Sequence, residues 1–352
     1  GVQTCALPIC TESDNIAVRG VAEVLHPAGR RHLIASAIEH EAILNTVKAL
    51  AKKGWKVSWL PVDHTGLVDP SALEQALTDD TALVSVMHAN NEVGTVQPVA
   101  QLAALTHARG ALFHTDAVQS AGKLPLSVSA LGVDLLSVSA HKFGGPKGVG
   151  ALWIKRGVKL QALVTGGRQE RSRRAGTENV AGIAGMGMAA AHARTGLARE
   201  AARLAAMRDR LEQQVVALVP GTAVNAAHSP RVPNTTNISF DGLEAESLLI
   251  ALDLEGIAVS TGSACSSGSL EPSHVLKAMG LGTHRAQNSI RFSLGHTSTD
   301  ADVDRVCAVL PRVVERLRAI AGPRTRGRRR RRYWRSEEHT SELQSRGLIS
   351  YA

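Results

Sequence analysis

The sequence predicts an α/β fold: a mainly parallel sheet covered on both faces by helices, followed by a smaller α+β lobe. Three observations predict it. From residue 11 to about 150, short β-rich runs alternate with stretches of helical period, the pattern of strand–helix–strand units whose strands run parallel. After Thr177 the chain becomes Ala-rich and helical, then returns to short β-like runs interleaved with helices. Aromatic residues make up only 3% of a chain that is 44% apolar, so the core is built mostly from Ala, Val, Leu and Ile. A length of 352 residues fits about two domains.

The elements follow in order. Thr11 stands at a helix start. Glu41–Lys53 carries Ile43, Val47, Leu50 and Ala51 on one face and stops at Gly54, a C-terminal glycine. Trp55–Pro61 and Ala82–Met87 read as strands, with a helix over Ser71–Leu77 between them. Ala111–Phe113 leads to His114-Thr115-Asp116, and Val133–Ser139 is a short strand ending at Ala140-His141-Lys142. Ala181–Leu218 reads as helical; Asn237–Phe240, Ile257–Ser260 and Ile290–Phe292 read as β-like. Thr299-Asp300-Ala301-Asp302 has capping-box character ahead of a stripe through Val303, Val306, Cys307, Leu310, Val313, Leu317 and Ile320. The expected divisions are a stub over 1–10, a large domain over 11–200, a small domain over 201–321 and a basic tail over 322–352. Gly1–Cys10 and Ser336–Arg346 resemble translated sequencing-adapter read-through and are expected to lie outside the fold.

The formal net charge is +9, but residues 323–352 hold nine arginines and three glutamates. Most of the basicity is therefore local to the last thirty residues, which weakens a nucleic-acid reading based on charge alone. The run Arg328–Arg332 is what remains of it, and it reads more simply as a charged, unstructured end. No apolar run approaches the ~20 residues that span a bilayer, and no secretory leader is evident. Cys5, Cys10, Cys265 and Cys307 are too few and scattered for a disulfide framework and form no CxxC pair, so the expected setting is reducing and cytoplasmic. His26, His32, His64 and His228 show no ligand spacing and read as surface residues.

Ligands of parallel sheets bind beyond the carboxyl ends of the strands, where Asp116 and Lys142 fall. A strand-end lysine followed by a glycine-rich turn (Lys142-Phe143-Gly144-Gly145) can form a Schiff base with an aldehyde cofactor when partly desolvated; alone, it reads more simply as a surface lysine in a loop. Pyridoxal phosphate needs a carboxylate against its ring nitrogen, and Asp116 on the preceding strand end supplies one. The ordered pair is more specific than either residue.

At these residues the chain resembles the cysteine desulfurases, fold-type-I pyridoxal-phosphate enzymes of the class V aminotransferases that take sulfur from L-cysteine and leave L-alanine. The matching strings are TESDNIAVRG, IEHEAI, MHANNEVGTVQP, HTDAVQSAGKLP, SVSAHKFGGPKGVGAL, RAGTENVAGI, STGSACSSGSLEPSHVL and SIRFSLG, in family order from Thr11 to about Ala321. The resemblance implies a seven-stranded, mainly parallel sheet and pyridoxal 5'-phosphate as cofactor. Lys142 would be the Schiff-base lysine and Asp116 the ring-nitrogen partner. Gln119 would meet the phenolic oxygen, and His40 would stack on the ring, available for proton transfer. Thr11, Ser139 and His141 would hold the phosphate, with Thr177 reaching it across the interface of a homodimer. Asn91 and Arg291 would bind substrate, Arg291 gripping the carboxylate.

Cys265 carries the distinctive step that the resemblance implies: a thiolate in a polar, glycine-rich loop attacks the substrate sulfur and keeps it as a persulfide. The Ser- and Gly-rich run matches the long-loop desulfurases that deliver to scaffold proteins. The partners implied are L-cysteine, a second copy of the chain and a sulfur acceptor such as an iron–sulfur scaffold, with neither membrane nor nucleic acid. No metal site of the chain's own is expected, although Cys265 could ligate an iron–sulfur cluster shared with a scaffold. Two departures stand out. Ile9-Cys10 occupies the place of the family's Gly-Ala pair, downstream of where the family has an N-terminal arm. Arg168 follows Gly166-Gly167 where a third glycine is common. The alternatives within the enzyme class are a selenocysteine lyase and a related aminotransferase, and Cys265 argues against the latter.

Overall fold

The computed structural model describes residues 3–7, 10–261 and 272–321. Its elements in chain order are β1 (Gln3–Leu7), α1 (Cys10–Leu25), β2 (His32–Ser36), α2 (Glu41–Ala51), β3 (Lys56–Leu60), α3 (Pro70–Ala76), β4 (Thr81–Ser85), α4 (Val99–Ala108), β5 (Leu112–Asp116), α5 (Val128–Leu131), β6 (Leu135–Ser139), β7 (Gly150–Ile154), α6 (Gln169–Ser172), α7 (Val180–Leu218), β8 (Thr222–Asn225), β9 (Thr235–Phe240), α8 (Ala245–Asp253), α9 (His274–Ala278), α10 (Thr283–Gln287), β10 (Ser289–Ser293) and α11 (Asp300–Ala321). Seven strands form one sheet in the order β1-β7-β6-β5-β4-β2-β3. The pairings from β3 to β6 are parallel, and β7 runs antiparallel to both β6 and β1.

Both faces of this sheet are covered, so nearly every residue of its central strands is buried, polar ones included. Successive residues point to opposite sides: Leu33, Leu83 and Leu135 pack with Ile16 and Val21 of α1, whereas Ile34, Val84 and Leu136 pack with Leu73 of α3 and Leu102 of α4. The helices stop where the residues dictate. Gly54, at φ +90°, donates to Ala51 O at 3.0 Å while Trp55 N closes on Leu50 O at 3.2 Å, which satisfies the last carbonyls of α2.

The second lobe is the antiparallel sheet β10-β9-β8 with its own core of Met207, Leu211, Phe240, Leu248, Ile290 and Leu310. Thr299 and Asp302 form the expected capping box of α11: Asp302 Oδ2 accepts from Thr299 N at 2.7 Å, and Thr299 Oγ1 from Asp302 N at 3.4 Å. The boundary expected at residue 200 falls inside α7, a continuous helix of 39 residues, ~58 Å long at 1.5 Å per residue. Only from Leu204 onward does α7 bury large side chains, namely Leu204, Met207, Leu211 and Val215. One helix thus runs from the large lobe into the small one.

Three further expectations are revised. Gln3–Leu7, read as foreign to the fold, pairs along β7 from Gln3↔Ile154 to Leu7↔Gly150 as the seventh strand; strand pairing runs through the backbone, which an unpaired edge offers to any extended run. Ile257–Ser260 is not a strand, and only Ser260 bridges, to Arg291. His32 is fully buried. Its ring nitrogens meet the hydroxyls of Thr78, Thr81 and Ser58 at 2.9–3.0 Å, so hydrogen bonding replaces the hydration a surface position would have given.

Candidate active site

The site lies at the carboxyl ends of β2, β4, β5 and β6 and meets the small lobe at β10. After β6 the chain makes a 3₁₀ turn over Ala140–Phe143 that is closed by Gly144 at φ +87°. Gly145 then passes so close to Ala140 that a Cβ would sit 2.8 Å from the alanine methyl. This turn swings His141 and Lys142 out to a cavity of about 660 Å³, which is also lined by Asn91, Gln119, Lys123 and Arg291. Asn90 places Asn91: its Oδ1 accepts from Glu92 N at 2.8 Å and Val93 N at 3.0 Å, an Asx turn. Arg291 of β10 donates through Nη1 to Asn91 O at 2.9 Å, which ties the two lobes at the cavity.

Asp116 ends β5 and is 4% exposed. Its Oδ1 accepts from Val118 N at 2.9 Å. Burial pushes its carboxyl above the usual range, and nearby His40 and Lys142 pull the other way. His40 caps α2 by accepting from Ala42 N at Nδ1, 3.2 Å, which puts the proton of the neutral ring on Nε2. Ser139 Oγ lies 2.8 Å from His141 Nδ1, and burial followed by Lys142 and Lys147 lowers the His141 pKa. Thr11 is in the first turn of α1 with its side chain exposed, and Thr177 is exposed in the loop ahead of α7. Neither Thr11 nor Thr177 lines the cavity. Cys265 lies outside the described residues.

Beneath the cavity is a set of acids not anticipated from the sequence. Asp14 and Glu39 are both fully buried. Burial and then Asp116 raise the Asp14 pKa; burial raises Glu39 to about 8, while its Oε1 accepts from Ser36 Oγ and from Met87 N. Cys10 donates to Asp14 Oδ2 at 3.2 Å, and ligand atoms of Cys10, Asp14 and Asp116 all lie within 4.8 Å of one another. Lys123 was missed as well. Its position four residues after Gln119 was the available signal, and its Nζ donates to Gln119 Oε1 at 3.2 Å.

These residues suit pyridoxal phosphate. Asp116 is a buried carboxylate with no ion pair among the described residues, so a protonated ring nitrogen would supply its missing counter-charge. Lys142 offers an amine at the adjacent strand end. Ser139, His141 and the start of a 16-residue helix offer donors for an anion.

The aminotransferase class-V family model matches residues 9–306. The chain is 50% identical over 311 residues to the cysteine desulfurase IscS of Dictyoglomus turgidum, covering 88% of this chain and 79% of that one. It is 49% identical over 315 residues to a cysteine desulfurase of a Nostoc species, covering 88% and 77%. Among solved structures, a NifS-like protein superposes with a TM-score of 0.80 at 38% identity over 90% of this chain and 82% of that one. A NifS-like protein from Rickettsia africae gives 0.80 at 32% over 89% and 82%. A strand-end lysine and a buried strand-end aspartate on a mainly parallel sheet agree with all of these likenesses, and the chain belongs to the class-V aminotransferase family.

Proposed function

We propose that this chain is a pyridoxal-phosphate-dependent cysteine desulfurase that converts L-cysteine to L-alanine and holds the released sulfur on Cys265. The observation that carries the reading is the convergence of Asn91, Gln119, His141, Lys142 and Arg291 on one cavity above the buried Asp116, in a chain about half identical to named desulfurases. Bound pyridoxal phosphate supplies an aldehyde for the substrate amine and a ring that withdraws electrons from its Cα.

The chain's own residues divide the rest of the work. Lys142 would hold the cofactor aldehyde and is the amine placed to take the proton from the substrate Cα. Asp116 would hold the ring nitrogen in its protonated form, and that cation would offset the cost of burying the carboxylate. Ser139, His141 and Thr11 would hold the phosphate, and His40 would face the ring with a proton available at Nε2. Arg291 receives the substrate carboxylate bidentately, and its bond to Asn91 O fixes the depth of that contact. Cys265, as thiolate, attacks the substrate sulfur. The S–S bond forms, the substrate C–S bond breaks with its electron pair left on carbon, and a proton completes alanine.

We further infer a homodimer, to which Thr177 contributes across the interface. The exposure of Val180 and Met188 on the first half of α7 supports this. The acceptor is taken to be a scaffold protein and the setting the cytoplasm, in keeping with sparse cysteines. No helix among the described residues is long and apolar enough to cross a membrane.

The test is direct. Purified protein loaded with pyridoxal phosphate is given L-cysteine without reductant, and the intact mass of the Cys265 peptide is measured. One added sulfur atom, matched by alanine and lost in Cys265→Ser, is the expected result. Alanine without sulfur on Cys265 overturns the reading, and faster turnover of selenocysteine redirects it to a lyase.

A further inference from the structure

Among the basic side chains of the cavity to which the mechanism above gives no task, Lys123 is the one that contacts a residue expected at the cofactor. Lys123 lies in the wall with Lys142 and Arg291 and makes no ion pair among the described residues; Glu200, the single carboxylate of that wall among them, is engaged by Arg203. The turn that carries Lys123 is built against the catalytic turn. Ala121 N closes on Ala117 O at 2.9 Å and Lys123 N on Ser120 O at 3.0 Å. Gly122, at φ +73°, passes so near Phe143 that a Cβ would lie 2.6 Å from the phenylalanine Cβ. Lys123 and Lys142 are therefore placed by the same contact.

What Lys123 touches is the amide of Gln119, at 3.2 Å. An ammonium has only donors, so the amide atom facing it is the oxygen, and the NH₂ is turned to the other side. In pyridoxal phosphate the ring oxygen is borne on the carbon next to the one carrying the aldehyde. Gln119 shares the cavity wall with Lys142, so its amide is available to that oxygen.

We propose that Lys123 is a positioning residue that fixes the Gln119 amide with its NH₂ toward the anionic ring oxygen of the cofactor. This rests on the cofactor reading above. Without Lys123 the amide is free to rotate, and half its orientations present an oxygen to an oxygen. Burial, then Lys142 and Arg291, bring the Lys123 amine down to about 8, in keeping with a cation that lacks a carboxylate.

The test uses the protein loaded with pyridoxal phosphate and two readouts other than turnover: the pH midpoint of its visible absorption band and the dissociation constant of the cofactor. The other titratable groups of the wall, His141 and Lys142 after β6, His192, Arg199 and Glu200 on α7, and Arg291 and His296 in the small lobe, stay unchanged. Removing a donor and a cation beside the ring oxygen disfavours the more negative, deprotonated form. In Lys123→Met the midpoint is expected to rise by about one pH unit and the cofactor to bind roughly 5–20-fold more weakly. Lys123→Arg should restore both. In a Gln119→Leu background Lys123→Met should change both less, because the part of the effect that passes through the amide is already gone. An unshifted midpoint in Lys123→Met overturns the proposal, as does an undiminished shift in the Gln119→Leu background. If Lys123→Met does not fold, Lys123→Gln is read by the same criteria. A wild-type protein that develops no visible band on loading refutes the cofactor reading itself, a result distinct from the other two.

Discussion

The two lobes are built on opposite terms. Among the described residues, the buried carboxylates and histidines all lie before residue 140, in the large lobe: Asp14, His32, Glu39, His88, Glu92, His114, Asp116 and Asp134. The small lobe buries aliphatic and aromatic side chains with neutral amides and hydroxyls, and it contributes Arg291 to the cavity wall. Burying a carboxylate costs several kcal/mol unless it is paired or protonated, so the large lobe accepts instability at the strand ends that face the cavity. The core of the small lobe carries no such burden. Stability and chemistry are separable here, and substitutions in the two regions should fail in different ways.

The largest effect is expected at Lys142. Lys142→Ala should lower alanine formation by at least about 10³-fold, since in the proposed mechanism both covalent attachment of the cofactor and proton transfer depend on it. Its side chain is exposed, so the unfolding free energy should stay within about 0.5 kcal/mol of wild type. Parallel turnover and urea titrations check this, and loss of stability equal to the loss of rate breaks the contrast. The converse is Phe240→Ala in β9. Phe240 is fully buried in the small-lobe core, and its truncation should cost about 3–5 kcal/mol. Molecules that remain folded should still take up pyridoxal phosphate.

Glu39 tests the burden itself through pH. Its folded-state pKa is raised to about 8, while the unfolded carboxyl titrates near its usual ~4.3. Between those values the unfolded chain has lost the proton that the folded chain keeps, so the group makes stability fall as pH rises, by at most about 1.4 kcal/mol per pH unit. Below the unfolded pKa it contributes nothing, and above the folded one the fall levels off. Glu39→Gln keeps an acceptor for Ser36 and Met87 and removes the titration. Its stability should decline less between pH 5 and 8 than that of wild type, measured by urea denaturation across that window. Curves of equal slope would show that Glu39 is ionised in the folded protein.

How much of this was legible in the sequence follows from the same contrast. Asp116, Lys142 and the alternation around them could be read because residue type, strand end and following glycines coincide locally. The capping box of α11 is local too. β2 was not identified: with all five residues of His32–Ser36 buried there is no alternation to see, and its His32 reads as polar until Ser58, Thr78 and Thr81 are brought to it. Ile257–Ser260 has strand composition but no partner beyond Ser260. Asp14 and Glu39 carry no local mark of their role, because burial of a carboxylate is a property of the assembled sheet edge; Lys123 has only its spacing from Gln119, which does not by itself bring an amine to an amide.

The smallest predicted effect isolates the small lobe once more. Thr299 caps α11 away from the cavity of Lys142: its hydroxyl accepts from Asp302 N, and Asp302 Oδ2 in turn accepts from Thr299 N and Oγ1. Those hydrogen bonds hold down the Asp302 pKa. Thr299→Ala removes one acceptor from the first turn and should cost about 1 kcal/mol, while cofactor affinity and turnover stay unchanged. The helix it caps closes the core around Leu310 and Val313, whose packing is made by side chains deeper in α11, so fraying of one turn need not reach β10 and Arg291. A rise in KM for L-cysteine in Thr299→Ala would mean that it does reach them, and that the small lobe is coupled to the cavity through its core as well as through the Arg291–Asn91 contact.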